Sequence, residues 1–248
     1  PYVAVEGHNR QTRPVADVVE ELAWLQRTFP KTRYLFRDIV FAADRAWVEA
    51  FCAAISAHHL KVNWECESRP EHFDLALLRQ MARAGCTTIK IGLETVDDEM
   101  LGLLGRLHSH QTAEDYRDRV LEVMDAAAQT RINCRVFVMV GLPGETYGAR
   151  AQTREFLAAV RPPLLSVKTY RPYAGVRLEQ DDLSASLNAR VGARPLTRSE
   201  LLELQREWQG FQGEPPPPQG IGSKLASLLG WNSGRSFQVS ARRGRRLS

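Results

Sequence analysis

Residues 132 to 146 read INCRVFVMVGLPGET. They predict a strand from Cys134 to Val140 that stops in Gly141-Leu142-Pro143-Gly144 and hands over to a helix at Glu145-Thr146. The apolar run Val136 to Val140 suits a strand covered on both faces, the usual condition in parallel sheets. The strand's far end is then where a ligand would sit. Glycines let a backbone approach without an intervening side chain, Pro143 fixes the turn, and the helix directs its first N–H groups to the same spot. Taken alone, the stretch is equally a plain strand-to-helix turn.

The same alternation runs outward on both sides. Arg13-Pro14 opens an amphipathic helix carrying Val15, Val18, Val19, Leu22 and Leu25 to about Thr28, closed by Pro30. A strand follows at Arg33 to Phe36, a helix from Asp44 to His58, and a strand at Leu60 to Cys66. Next come a helix from Phe73 to Arg83, a strand from Thr87 to Leu93, and helical stretches at Asp97 to Leu104 and Thr112 to Ala128. Beyond the opening stretch the pattern predicts a helix from Gly148 to Val160 and a strand from Leu164 to Tyr170. Thr197 with Glu200 three residues on forms a capping box for a helix to Phe211, and Lys224 to Leu229 is a further short helical candidate. Strands alternating with such helices make right-handed βαβ units, in an open parallel sheet or part of a barrel. Either places ligands at the carboxyl ends of the strands.

At 248 residues, with 44% hydrophobic and 25% charged side chains, the composition supports a sizeable core. No apolar run approaches 18 residues and no signal-peptide pattern opens the chain, so the expected compartment is the cytoplasm, with no membrane contact. The formal charge of +4 is unevenly placed: residues 219–248 hold six basic residues and no acid, leaving the remainder at −2. Such a tail is most often solvated, and nucleic acid is not an expected partner. Cys52, Cys66, Cys86 and Cys134 lack CxxC spacing and read as core thiols. The strand ends carry Arg37-Asp38, Glu65 to Arg69, Gly92 to Thr95, Gly141 to Thr146 and Tyr170 to Tyr173. That series of acidic and polar groups suits a polar, amino-bearing ligand.

FRDIVF at Phe36 to Phe41 looks like an FxDxxF strand end, WECESR at Trp64 to Arg69 like a WxCxxR segment, and AGCTTIKIGLET at Ala84 to Thr95 like an AGC-strand-GLE segment. GLPGET and RPYAGVRL complete the order. Five segments agreeing in order over about residues 1 to 180 resemble the radical S-adenosylmethionine (SAM) superfamily, in particular its cobalamin-binding-type branch.

The resemblance implies a partial (β/α) barrel, here lacking its first strand, with a C-terminal helix and a basic tail. It divides the chain into a barrel at 1–180, a helical extension at 181–214, and a Pro-rich linker with the tail at 215–248. In that superfamily a CxxxCxxC loop binds a four-iron four-sulfur cluster that cleaves SAM, with cobalamin as a further cofactor in some members and an electron donor as partner. The motif is absent. The opening Pro1-Tyr2-Val3 and GHNRQTRPVADVVEEL are similar to the segment directly after the last cluster cysteine, which favours a fragment over a degenerate relative. By resemblance, Asp38 pairs with the SAM ammonium, and Glu94 and Glu67 accept hydrogen bonds from ribose hydroxyls or that ammonium. Arg69 pairs with the SAM carboxylate or locks one of the glutamates. Gly141 to Gly144 and the Thr169-Tyr170 backbone look like walls around adenine. Ile39 departs from the pattern, where a second polar residue is common.

The function implied is radical chemistry, methylation or rearrangement, on a small molecule or peptide. A catalytically silent α/β binding or scaffold domain and an RNA methylthiotransferase-like enzyme are the alternatives.

Overall fold

Each strand of the chain is followed by a helix long enough to recross the sheet, so every strand returns in the same direction. The computed structural model describes residues 11–38, 40–108, 110–171, 186–189, 192 and 194–213. Ile39, most of RPYAGVRL, the Pro-rich linker and the basic tail with its helical candidate at Lys224 to Leu229 lie outside the described residues. Strands β1 (Arg33–Leu35), β2 (Asn63–Glu67), β3 (Cys86–Glu94), β4 (Asn133–Val140) and β5 (Leu164–Thr169) pair in parallel, in chain order. They curl into a half-barrel. The helices are α1 (Val15–Thr28), α2 (Arg45–Ala57), α3 (Leu75–Arg83), α4 (Asp98–Leu103), α5 (Ala113–Thr130), α6 (Tyr147–Val160) and α7 (Arg198–Gln209).

Side chains alternate across the strands. Trp64 and Cys66, Ile89 and Ile91, Val136, Val138 and Val140, and Leu165 and Val167 are buried in the helix-covered core. The other face carries Glu65, Glu67, Lys90, Arg135, Phe137 and Met139, all only half-buried, and an exposed Lys168. The expectation of a β4 covered on both faces is therefore corrected: Phe137 and Met139, on the face opposite the helix-covered core, are only half-buried.

Helix starts follow their caps. The Asp44 side chain accepts from the Trp47 N–H, Asp74 from Leu77, Asp97 from Met100, and Thr146 from Ala149. Thr112 and Thr197 form full capping boxes with Asp115 and Glu200. Asp74 shifts the expected start of α3 from Phe73 to Leu75, behind a 3₁₀ turn at Pro70–His72. Strand β2 begins at Asn63 rather than Leu60, and β5 ends at Thr169 rather than Tyr170.

Two packing features position the strand ends. Trp64, fully buried, meets the rings of Phe36, Phe41 and Phe51 at 5.6, 5.6 and 5.5 Å, and its Nε1 donates to the Ala84 carbonyl at 2.8 Å. Gly85 beside it has φ +88, and a Cβ there would lie 2.0 Å from the Val62 carbonyl oxygen. Only glycine admits that turn.

The outer edge of β5 is satisfied by α7 and the residues just after it. Gln209 Oε1 accepts from the Val167 N–H at 3.1 Å and its Nε2 donates to the Leu165 carbonyl at 2.5 Å. Gln205 donates to the Val167 carbonyl at 2.7 Å, and Gln212 accepts from the Leu165 N–H at 3.1 Å. Spaced four and three apart, the glutamines share one helical face and replace the hydrogen bonds of a neighbouring strand. Trp208 from the same helix is fully buried in the common core. Gln209→Ala is expected to lose about 1 to 3 kcal/mol, because a half-buried donor and acceptor lose their partner. Urea unfolding reads the loss; an unchanged midpoint with an unprotected Val167 amide would show water taking the place of the side chain.

No helix among the described residues is long and apolar enough to cross a membrane. All four cysteines are free and buried, as expected of core thiols. Burial pushes Cys52 and Cys134 up to about 12 and holds Cys66 well above the ordinary thiol range.

Candidate cofactor-binding site

The carboxyl ends of the strands converge on one rim, and the side chains chosen from the sequence fall there into three groups. Asp38, just past β1, lines a cavity of about 530 Å³ walled by α1, α2 and β1, with Leu22, Tyr34, Phe36, Arg37 and Trp47 among its neighbours. Its carboxylate makes no hydrogen bond or ion pair among the described residues. A carboxylate in a cavity with aromatic walls is a fit for an ammonium or sulfonium cation.

The second group gathers Glu67, Arg69 and Glu94. Between Gly92 and Glu94 the pairing of β3 with β4 slips: Gly92 faces Phe137, and Glu94 faces Val138. The slip is a bulge, and Glu94 takes φ +65, an uncommon conformation for a non-glycine residue. The Tyr116 hydroxyl, from α5, donates to the Gly92 carbonyl at 2.5 Å and secures the bulge. Glu94 is turned inward, 7% exposed, with its Oε1 on the Arg106 guanidinium. Burial raises its carboxyl above the ordinary range, with Arg106 opposing and the nearby Glu67 adding to the rise.

Glu67 is also raised by burial, against the charges of Lys90, Arg37 and Arg106, and accepts no hydrogen bond among the described residues. Arg69 ion-pairs with Glu71 and donates to the Arg106 carbonyl at 2.9 Å. Glu71 lies below the usual range: burial would raise it, but the hydrogen bond from His108 and the charge of Arg69 outweigh that.

One expectation changes here. Arg69 locks Glu71 and the Arg106 backbone, neither Glu67 nor Glu94. Gly92 leaves room for the Glu94–Arg106 pair rather than for a ligand, since a Cβ there would lie 2.4 Å from Glu94 Oε1. Glu94 does not start a helix, because Asp97 caps α4.

The third group surrounds the end of β4. Gly141 and Gly144 have φ +78 and +79. The Gly141 N–H donates to Glu145 Oε2 at 2.9 Å, the Gly144 N–H to Asn188 Oδ1 at 2.8 Å, and the Tyr170 N–H to the Val140 carbonyl at 2.8 Å. A Cβ on Gly141 would lie 2.4 Å from Leu201, and one on Gly144 3.2 Å from Leu187. The close approach these glycines permit is thus to the chain's own C-terminal segment. Glu94 is not among the residues lining the Asp38 cavity, so the strand ends carry three neighbouring groups. Arg37 links the first two, since it lines the cavity and its charge acts on Glu67.

Sequence reading missed Arg106, Tyr116 and the capping role of Glu145. Arg106 follows Gly105, the turn that ends α4, and that turn was its one local signal. No three His, Cys, Asp or Glu side chains among the described residues are grouped to hold a metal ion, and the thiols sit on four different elements.

A curled parallel half-barrel with a polar rim defines an α/β protein of partial-barrel type. The profile of the radical SAM superfamily matches residues 6–157, and the chain belongs to that superfamily. Over 191 residues it is 21% identical to an uncharacterized methyltransferase of Pyrococcus horikoshii, a match covering 77% of this chain and 40% of the relative. Over 119 residues it is 27% identical to the tRNA-2-methylthio-N(6)-dimethylallyladenosine synthase of Roseiflexus sp., covering 48% of this chain and 24% of the synthase. The chain therefore spans less than half the length of either relative. In fold it is similar to TsrM of Kitasatospora setae, a radical SAM methyltransferase with cobalamin and a [4Fe-4S] cluster bound. The TM-score is 0.60 at 17% identity, over 88% of this chain and 47% of TsrM.

Proposed function

We propose that this chain is the SAM-holding core of a radical SAM enzyme acting on a small molecule or peptide. The observation that carries this reading is Asp38: a carboxylate with no ion pair among the described residues, lining a cavity of about 530 Å³ at a strand's carboxyl end. Asp38 takes the SAM ammonium, and Glu67, with no hydrogen bond among the described residues, accepts from ribose hydroxyls. Glu94 is the third acceptor, and Arg69 fixes the rim behind them.

The buried thiols do not fit an iron–sulfur cluster, so the reading for the described residues concerns SAM alone. The superfamily's cluster, when bound, supplies the electron that cleaves SAM, which calls for an electron donor as partner. Cobalamin-assisted methyl transfer is the finer reading, supported by the fold shared with the Kitasatospora methyltransferase. An RNA substrate is the second reading, supported by the tRNA-modifying relative.

Titration calorimetry with SAM tests the assignment. Asp38→Asn is expected to weaken binding by about 1 to 3 kcal/mol, tenfold or more at the centre of that range. Unchanged affinity in a folded variant removes Asp38 from the site. Transfer RNA that binds the chain with an affinity above that for a small-molecule competitor would favour the second reading.

A further inference from the structure

Arg106 is fixed from several sides although it lies on a loop. Its N–H donates to the Leu101 carbonyl at 2.9 Å, its own carbonyl accepts from Arg69 at 2.9 Å, and its guanidinium holds Glu94 Oε1. The loop is tied down again two residues later, where His108 Nε2 bonds Glu71 at 3.0 Å. Gly92 supplies the space, since a Cβ would also lie 3.1 Å from the Arg106 guanidinium. The bulge, the positive φ of Glu94 and the Tyr116 hydroxyl complete a frame around one carboxylate. Glu94 Oε2 accepts no hydrogen bond among the described residues.

We propose that Arg106 is the positioning residue of Glu94: it fixes the direction and charge of this carboxylate and leaves Oε2 available to a ligand hydroxyl or ammonium. The groups facing Glu94 are Arg106 from the α4–α5 loop, Glu67 from β2 and Tyr116 from α5. Burial and Glu67 both favour the protonated acid, which would donate where an acceptor is needed, and among the described residues Arg106 opposes them. A lysine at this place keeps the charge and loses the planar fork, so it restores ionisation better than it restores direction. The ligand in this inference rests on the proposed SAM site, whereas the ion pair is testable without any ligand.

The test uses the full chain with ¹³C-labelled glutamate, following the Glu94 carboxyl by NMR across pH. Arg106→Met is expected to move the Glu94 titration upward by about one pH unit or more, and Arg106→Lys to recover most of that shift. SAM affinity at neutral pH should fall about tenfold in Arg106→Met and recover as pH rises and Glu94 ionises. A purely structural role would give no recovery. An unshifted titration in a folded Arg106→Met, or a lysine variant indistinguishable from methionine, overturns the proposal. If no form of the chain binds SAM, the proposed function falls while the titration still decides the role of Arg106. Should Arg106→Met fail to fold, Arg106→Gln carries the same comparison.

Discussion

Trp64→Ala is expected to lower stability by about 3 to 5 kcal/mol, the upper range for truncating a buried aromatic residue. Trp64 is fully buried, and three other rings lie within 5.6 Å of its centroid, so its removal leaves a cavity that rigid aromatic neighbours close poorly. The loss also strips the Ala84 carbonyl of the indole N–H that now donates to it at 2.8 Å. That carbonyl sits next to Gly85, whose clash-limited turn leads into β3, so relaxation there is restricted. Trp64→Phe keeps a ring and loses the hydrogen bond, and should cost about 1 to 2 kcal/mol. Urea unfolding of both variants separates packing from hydrogen bonding. A loss below about 1.5 kcal/mol for the alanine variant would show that the aromatic cluster collapses freely. The consequence reaches the rim, because Phe36 of the cluster stands two residues before Asp38.

The fold was legible where the signals are local. The side-chain oxygens of Asp44, Asp97, Thr112, Thr146 and Thr197 cap helices whose starts their sequence positions announce. The run Val136 to Val140 marked a strand because aliphatic and β-branched residues suit a pleated core surface. Its two-sided burial was misread because the run cannot distinguish helix cover from the half-buried face opposite it. Charged groups at the strand ends were visible as residues, yet their pairing was not. The slip between Gly92 and Glu94 depends on how β3 meets β4, and Arg106 reaches Glu94 only because the loop behind α4 folds back over the rim. Asp38 could be singled out because it closely follows a strand end. Which of the other acids remains unpaired is settled by contacts between distant segments. The glutamine ladder of α7 was invisible for the same reason: its spacing is ordinary on any helix, and its meaning comes from the β5 edge it meets.

Stability should fall as pH rises through neutrality, and Glu145 is the residue expected to contribute most to that fall. Its side chain is only 2% exposed, and burial pushes its carboxyl up to about 7 from an ordinary 4.5. The Gly141 N–H and Arg150, 3.7 Å away, offset the burial only in part. With the folded value above the unfolded one, the native chain binds the extra proton between those two values. The associated stability is complete below about 4.5 and is lost as pH climbs through about 7, a swing of about 3 kcal/mol. Glu94 and Glu67 are raised as well and slope the same way, so the test is the difference between wild type and Glu145→Gln, which shares them. Glutamine keeps an oxygen for the Gly141 N–H and carries no charge at any pH. Measured by urea unfolding from pH 5 to 8.5, the variant should match or trail wild type at the acid end and exceed it by about 2 to 3 kcal/mol above pH 8. A wild-type-minus-variant difference that does not change with pH would mean that Glu145 is already ionised throughout. The Gly141 turn would then be held by a buried carboxylate whose charge Arg150 balances.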